Sequence, residues 1–312
     1  MSSKIVLLGT GGTMAGTAAD PADNVGYTAG QLGVAHLLAA VPALAGLPLV
    51  SEQVAQLDSK DMGFAVWQQL AARCVHHLAQ PDVTGIVITH GTDTLEETAW
   101  FLQSVLAPAK PVVLTCAMRP ATSVAADGPQ NLIDAVAVAS APGARGVVAV
   151  CAGAIHSAAD VQKDHPYRVD AFSSGDAGPV GYVEEGRLRL MRNWPKAPVN
   201  VAKFAIDSGL PDRVWPRVDI VMNYAGVDGT VVDALLARGV DGIVVACTGN
   251  GTLHEALEAA LLRAQAAGVA VVRATRCAYG RVLPQAAARL RDSAGLSPVK
   301  ARVALLLELM AD

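Results

Sequence analysis

Two loops carry the residue types that acyl chemistry needs. Gly9-Thr10-Gly11-Gly12-Thr13-Met14-Ala15-Gly16 follows the apolar run Ile5-Val6-Leu7-Leu8, and Thr89-His90-Gly91-Thr92-Asp93-Thr94 follows Gly85-Ile86-Val87-Ile88. Each reads as a strand ending in a hydroxyl-rich turn. A threonine hydroxyl attacks a carbonyl only when a neighbouring group takes its proton, and Tyr27, Lys163 and Asp93 are the candidate partners for Thr13. Gly12 and its neighbours are expected to point backbone N–H groups at a developing oxyanion, each such donor typically worth about 10²–10³ in rate. Asp93 suits an α-ammonium and Ser59 an α-carboxylate, a pair that would read a free amino acid. Singly, each of these residues has a plainer role: Thr10 and Thr13 as turn or cap hydroxyls, Asp93 as a carboxylate at a helix start, Ser59 as a cap, Lys163 as a solvated cation, His90 as a hydrogen-bonded core histidine. Convergence is what would make them a site. In an open parallel sheet the carboxyl ends of adjacent strands face one crevice, so Thr13, Thr92 and Asp93 are expected to meet there.

Those loops need a rigid sheet behind them, and the composition supplies one. Of 312 residues, 52% are apolar but only 4% aromatic, so the core is built from Ala, Val and Leu, as suits helices stacked on a buried parallel sheet. The class is α/β. Short β-branched runs at 4–8, 85–89, 111–115, 146–151, 242–247 and 269–273 alternate with helical patterns. Among the latter, residues 62–79 space Trp67, Leu70, Ala71, Cys74 and Leu78 three and four apart. Residues 94–106 do likewise, and Thr94 with Glu97 reads as a capping box that fixes the helix start just behind Thr92 and Asp93. Ala-rich stretches at 256–268 and 286–289 read as helices, as does 298–310. Three glycines, five alanines, two aspartates and Pro21 make residues 14–31 a flap that shuts water out of the crevice, with Tyr27 near its far end. The proline-rich text at 191–212 reads as a linker, dividing a large domain (1–190) from a smaller α/β domain (213–312).

The balance of charge excludes some partners. Twenty-four basic against 28 acidic residues give a net charge of −4, and no Lys/Arg stripe could neutralise a row of phosphates. Nucleic acid is not an expected partner, and no apolar run approaches a membrane span. The five cysteines, 74, 116, 151, 247 and 277, form no C-x-x-C pair and read as reduced core residues; with a strand starting directly behind Met1-Ser2-Ser3, the expected compartment is the cytoplasm. No histidines show H-x-x-x-H spacing, so no metal site is expected. Gly9-x-Gly11 suggests a dinucleotide fingerprint, but Met14 stands where the third glycine belongs.

Taken together, the two loops, the second extended through Leu95-Glu96-Glu97-Thr98-Ala99, resemble the signature segments of the bacterial-type L-asparaginase (asparaginase/glutaminase) family. Ala117-Met118-Arg119-Pro120, Ala126-Asp127-Gly128-Pro129 with Asn131, Gly249-Asn250-Gly251 and Lys300-Ala301-Arg302 stand in the family's order, so the similarity spans essentially the whole chain. The resemblance implies an amidohydrolase that cleaves the side-chain amide of asparagine, and often of glutamine, through an acyl-enzyme, with neither metal nor cofactor. It makes Thr13 the nucleophile, Tyr27 its flap partner, and Thr92, Lys163 and Asp93 a second polar triad. Ser59 and Asp93 would bind the substrate's α-groups, with Gly12, Gly91 and Ala117 lining it. The family builds its sites between the large domain of one subunit and the small domain of another, commonly in a homotetramer, which assigns Asn250 to a neighbour's crevice. Two positions depart from the pattern. Lys60 stands where secreted relatives place Gln, a cation available to the α-carboxylate, and 277–285 is short and lacks a match for the partner-supplied Glu. A sensor that binds asparagine with little turnover, or a hydrolase of another amide, are the alternatives; ammonia release separates them.

Overall fold

Strands that are buried on both faces must be apolar along nearly their whole length, and in the first part of the chain four segments meet that condition. In the computed structural model, which describes residues 3–196 and 214–311, they are Lys4–Gly11 (β1), Val83–Thr89, Pro111–Thr115 and Gly146–Cys151. With Leu49–Leu57 as β2, the last three are β3, β4 and β5. These five strands run parallel in the order β2-β1-β3-β4-β5. An antiparallel extension follows from Ala154–Ser157 (β6) to Gly181–Glu184 and Arg187–Leu190, between which Gln162–Lys163 (β7) and Phe172–Ser173 (β8) form a separate ribbon.

The chain leaves β1 for β2 on one side, then returns across it to β3 on the other. The carboxyl ends of β1 and β3 therefore flank the point where the strand order reverses, the place where open sheets leave a crevice. Four helices cover the sheet: Val34–Ala39 (α1), Phe64–Leu78 (α2), Leu95–Leu106 (α3) and Gly128–Ser140 (α4). Ile5, Leu7, Val87, Val113 and Val148 pack with Leu132, Ala135 and Val138 of α4. On α2, Trp67 stacks on Phe101 of α3 with ring centroids 4.8 Å apart, and its indole N–H donates to Thr98 Oγ1 at 2.9 Å.

Residues 214–311 form a second compact unit. Its strands Val218–Met222, Gly242–Cys247, Ala270–Thr275 and Arg291–Asp292 (β11–β14, counting the two strands after β8 as β9 and β10) are all parallel. Thr230–Ala237 (α5) and Glu255–Ala266 (α6) pack around Ile243 and Val245, while Pro298–Ala311 (α7) sets Leu305 against Gly242. Among the described residues no helix is long and apolar enough to cross a membrane.

The structure corrects several readings of the sequence. Residues 286–289 are an exposed turn and not a helix, because the few residues between Pro284 and β14 cannot offset the cost of a helical nucleus. Cys277 is exposed, whereas the other four cysteines are buried, with Cys116 Sγ and Cys151 Sγ side by side at 3.1 Å. Of the stretch read as a linker, 191–196 runs along the first unit, where the Met191 and Arg192 amides donate to Val180 O. Residues 197–212 lie outside the described residues.

Candidate active site

Backbone geometry brings the two hydroxyl loops together. Gly11 and Gly12 close β1 with φ of +104° and +81°, a region that favours glycine. A Cβ on Gly12 would collide with the backbone of Gly91, and one on Gly91 with Ser59 Oγ. The loops after β1 and β3 thus touch main chain to main chain, and the turn after β2 meets them through the Ser59 side chain. Thr10 Oγ1 reinforces the junction by donating to Thr89 O at 2.9 Å. The next residue in each loop, Thr13 and Thr92, is buried at 6% exposure.

Thr13 begins a 3₁₀ turn, and its Oγ1 lies 2.7 Å from the hydroxyl of Tyr27. The flap's base is tied down by Gly30 N donating to Gly12 O and by Gln31 N and Leu32 N donating to Ala15 O. Thr17 and Thr28 exchange backbone hydrogen bonds across the flap, which folds Tyr27 back over its own starting residue. A Cβ on Gly16 would come within 2.9 Å of the Tyr27 ring, so a bare backbone there seats the phenol.

The second cluster centres on Lys163, carried by β7. Its ammonium donates to Thr92 Oγ1 at 2.8 Å and to Asp93 Oδ1 at 2.6 Å, and Thr92 Oγ1 lies 3.4 Å from the same carboxylate oxygen. Ser59 Oγ accepts from the Asp93 amide at 3.1 Å, leaving the serine's own proton for a ligand. The structure thus joins Thr13 to Tyr27, and Thr92, Asp93, Lys163 and Ser59 to one another, with the Gly12–Gly91 contact between the two groups. Ala117 is fully buried in an apolar cluster with Met14, Ala15 and Leu37. Lys60 is exposed and its ammonium is held by Asp58 at 2.8 Å and Asp61 at 3.2 Å, which push its pKa up; reaching an α-carboxylate would require leaving both. Asn250 belongs to the second unit, where its Oδ1 accepts from the Leu283 amide at 2.7 Å.

Two local expectations are revised. The Gly12 N–H donates to Leu57 O at 2.9 Å, so it is spent on the sheet and not free for an oxyanion. Thr94 does occupy the position ahead of α3, but its hydroxyl donates to Ser59 O at 2.8 Å and makes no capping box with the helix. The same bond holds Ser59 in place, a role no spacing in the sequence announces. Asp127 is legible in the sequence only as part of a motif. Its carboxylate accepts from the Met118 and Arg119 amides at 2.9 and 3.0 Å and so shapes the segment carrying Ala117.

Comparison with known proteins sets this geometry among its relatives. Residues 4–196 match the family model described as Asparaginase, N-terminal, and residues 217–312 match the Glutaminase/Asparaginase C-terminal domain. L-asparaginase 2 of Bacillus subtilis is 40% identical over 98% of this chain and 82% of its own. L-asparaginase 2 of Escherichia coli is also 40% identical, over 98% of this chain and 88% of its own. A crystal structure of a probable cytoplasmic L-asparaginase from Campylobacter jejuni superposes with a TM-score of 0.93 at 38% identity, covering 100% of this chain and 97% of that one.

His90, fully buried beneath the Thr92–Asp93 turn, carries a pH signature. Its Nδ1 faces Gly91 O at 2.7 Å and therefore bears the proton, and burial pushes the imidazole from 6.5 down to about 4. Between those two values the unfolded chain binds a proton that the folded chain refuses, so stability falls as the pH is lowered through that window. Denaturant titrations across it are expected to show a shallower decline for His90→Asn, which keeps a donor to Gly91 but cannot take up the proton. An unchanged slope would remove His90 as the cause.

Proposed function

The chain belongs to the asparaginase family, and on that premise we propose that Thr13 is the nucleophile of an L-asparagine amidohydrolase. The protein hydrolyses the side-chain amide of L-asparagine to L-aspartate and ammonia, with L-glutamine as the second substrate to be profiled. The observation that carries the assignment is the 2.7 Å contact between Thr13 Oγ1 and Tyr27, a side-chain hydroxyl placed to exchange a proton with the nucleophile.

A neutral relay balances the first step. As Thr13 Oγ adds to the amide carbon, its proton passes to the Tyr27 oxygen, and the phenol's own proton passes to the amide nitrogen. The C–N bond breaks, ammonia leaves and an ester remains. Water then adds to the ester carbon, and Thr13 recovers its proton. Lys163 acts differently. Bound to Thr92 and Asp93, its ammonium fixes the Thr92 hydroxyl beside the reacting carbon and supplies positive charge there. Asp93 is half exposed at the crevice mouth, as a ligand for an incoming α-ammonium requires, and Ser59 OH is assigned to the α-carboxylate. This chemistry lies within the first domain (1–190), with 213–312 as the accessory domain.

Two further assignments have separate support. We propose a cytoplasmic location, supported by the likeness to a probable cytoplasmic L-asparaginase and by five free thiols, the state a reducing compartment maintains. We assign a homo-oligomer, a tetramer by family, with Asn250 completing a neighbouring subunit's crevice. Its support is the edge strand β11 and the segment just past it, where Ile220, Met222 and Tyr224 leave a period-2 apolar stripe 38%, 53% and 53% exposed.

Purified protein is expected to release ammonia from L-asparagine without added metal, and Thr13→Ala to lose about 10³-fold or more of kcat while its circular dichroism is unchanged. Tight asparagine binding without ammonia would instead make the protein a sensor. Lys60→Gln is expected to shift KM less than about threefold, since its charge is already neutralised by two carboxylates; a tenfold rise would make Lys60 an α-carboxylate ligand. Light scattering is expected to give a multiple of 32.0 kDa, reduced to one chain in an Ile220→Glu/Met222→Glu double variant with lower specific activity. A parent protein that is monomeric and fully active would overturn the oligomer.

A further inference from the structure

The flap's tip is held by a part of the chain far from its base. Residues 121–124 run beside 16–24, and five hydrogen bonds join them. The Ala121 amide donates to Gly16 O at 2.9 Å and the Val124 amide to Pro21 O at 3.2 Å. Thr122 Oγ1 accepts from the Ala18 amide at 2.9 Å and faces Ala18 O at 3.4 Å, and Ser123 Oγ donates to Asn24 Oδ1 at 2.7 Å.

What makes this a latch is the contrast between its two sides. No residue from 17 to 29 is buried, and Val25 near the tip is 75% exposed, so burial of apolar surface does little to keep the flap down. The opposing loop is rooted. Asp127 fastens the Met118 and Arg119 amides, Asn131 ties Cys116 O to Asp127, and Arg119 lies over the Tyr167 ring while donating to Tyr167 O at 2.8 Å. A polar strap against a fixed post closes by directed bonds and reopens at small cost.

We propose that Thr122 and Ser123 are positioning residues for the reaction: their hydroxyls hold the flap in the closed register that sets Tyr27 on Thr13. The inference rests on the reading of Tyr27 and Thr13 as the reacting pair. When only a fraction of molecules is closed, the apparent KM rises by the inverse of that fraction, while bound substrate draws the flap shut and protects kcat. Loss of the latch therefore appears in KM, and loss of the Tyr27 hydroxyl in kcat.

The test combines hydrogen exchange of residues 17–28 with steady-state kinetics on L-asparagine, using Thr122→Val, Ser123→Ala and the double variant. The double variant is expected to speed exchange in the flap, the Ala18 amide above all, by about tenfold. KM should rise about threefold to tenfold and kcat stay within about twofold. Thr122→Ser keeps the hydroxyl and should restore parental exchange and KM. Tyr27→Phe should lower kcat and leave flap exchange beyond residue 27 unchanged. Parental exchange rates in the double variant, or faster exchange with unchanged KM, would overturn the proposal. Should the parent protein prove inactive, the exchange measurement still decides the latch, and the failure belongs to the hydrolase reading. Exchange in β3 and β4 reports whether the fold is intact.

Discussion

The site depends on one contact, the backbone of Gly12 lying against the backbone of Gly91. Parallel strands sit close to five ångströms apart, so side chains at their ends ordinarily keep the two following loops separated. Removing the Cβ from both positions lets the loops touch, which puts the residues next in sequence, Thr13 and Thr92, at one junction. Ser59 enters the same junction because Gly91 leaves room for its hydroxyl. Three crossovers of an ordinary doubly wound sheet are thereby converted into a crevice whose walls are main chain. Main chain is the stiffest material available for fixing Thr13, the proposed nucleophile, and its position there is set before any substrate arrives.

Around that junction the polar groups are divided into two sets with little cross-talk. Thr13 and Tyr27 are uncharged and share a single short contact, a pairing suited to exchange of protons without separation of charge. Lys163 and Asp93 carry the charge, and Thr92 lies within reach of both. His90 beneath them stays neutral because burial disfavours its ionised form, so it adds no competing cation to the Lys163 cluster. A single network would tie the nucleophile's protonation to the ion pair. In the proposed reaction, keeping the two apart lets the ammonium orient Thr92 while the Thr13 proton moves through the flap.

The strongest sequence signals are those with one physical cause. Runs such as Ile86-Val87-Ile88 can only be strands covered on both faces, and the parallel core follows from them. The hydroxyl loops are equally legible, since paired glycines at the end of an apolar run favour a strand's end and a turn. Strand β2 escapes detection because, as an edge strand, it leaves Ser51 and Glu52 only half buried and Gln53 exposed, and its polar text imitates a loop. The ribbon carrying Lys163 is invisible for the opposite reason: two residues per strand leave no periodicity to detect. Long-range side-chain assignments are out of reach where the same residue type serves two ends. Thr94 looks like a cap and instead braces Ser59; Gly12 looks like a donor to substrate and instead donates to Leu57.

The flap shows why composition alone misleads about function of this kind. Alanine, glycine and aspartate between residues 14 and 31 do indicate a segment without a core of its own, and the structure agrees that its middle is unburied. Yet a segment that buried more would stay shut, and one with no partners would rarely close. Residues 16–24 solve this by bonding a loop that Asp127 already holds rigid, so that ordering the flap costs entropy on one side only. Tyr27 then arrives over Thr13 with its geometry supplied by two unrelated stretches of chain, the base near Gly12 and Ala15 and the post at 121–124. Because the post at 121–124 does not touch the proposed reacting pair, its sequence answers to the flap's closing equilibrium and not to the chemistry, which is why hydroxyls there read as ordinary surface.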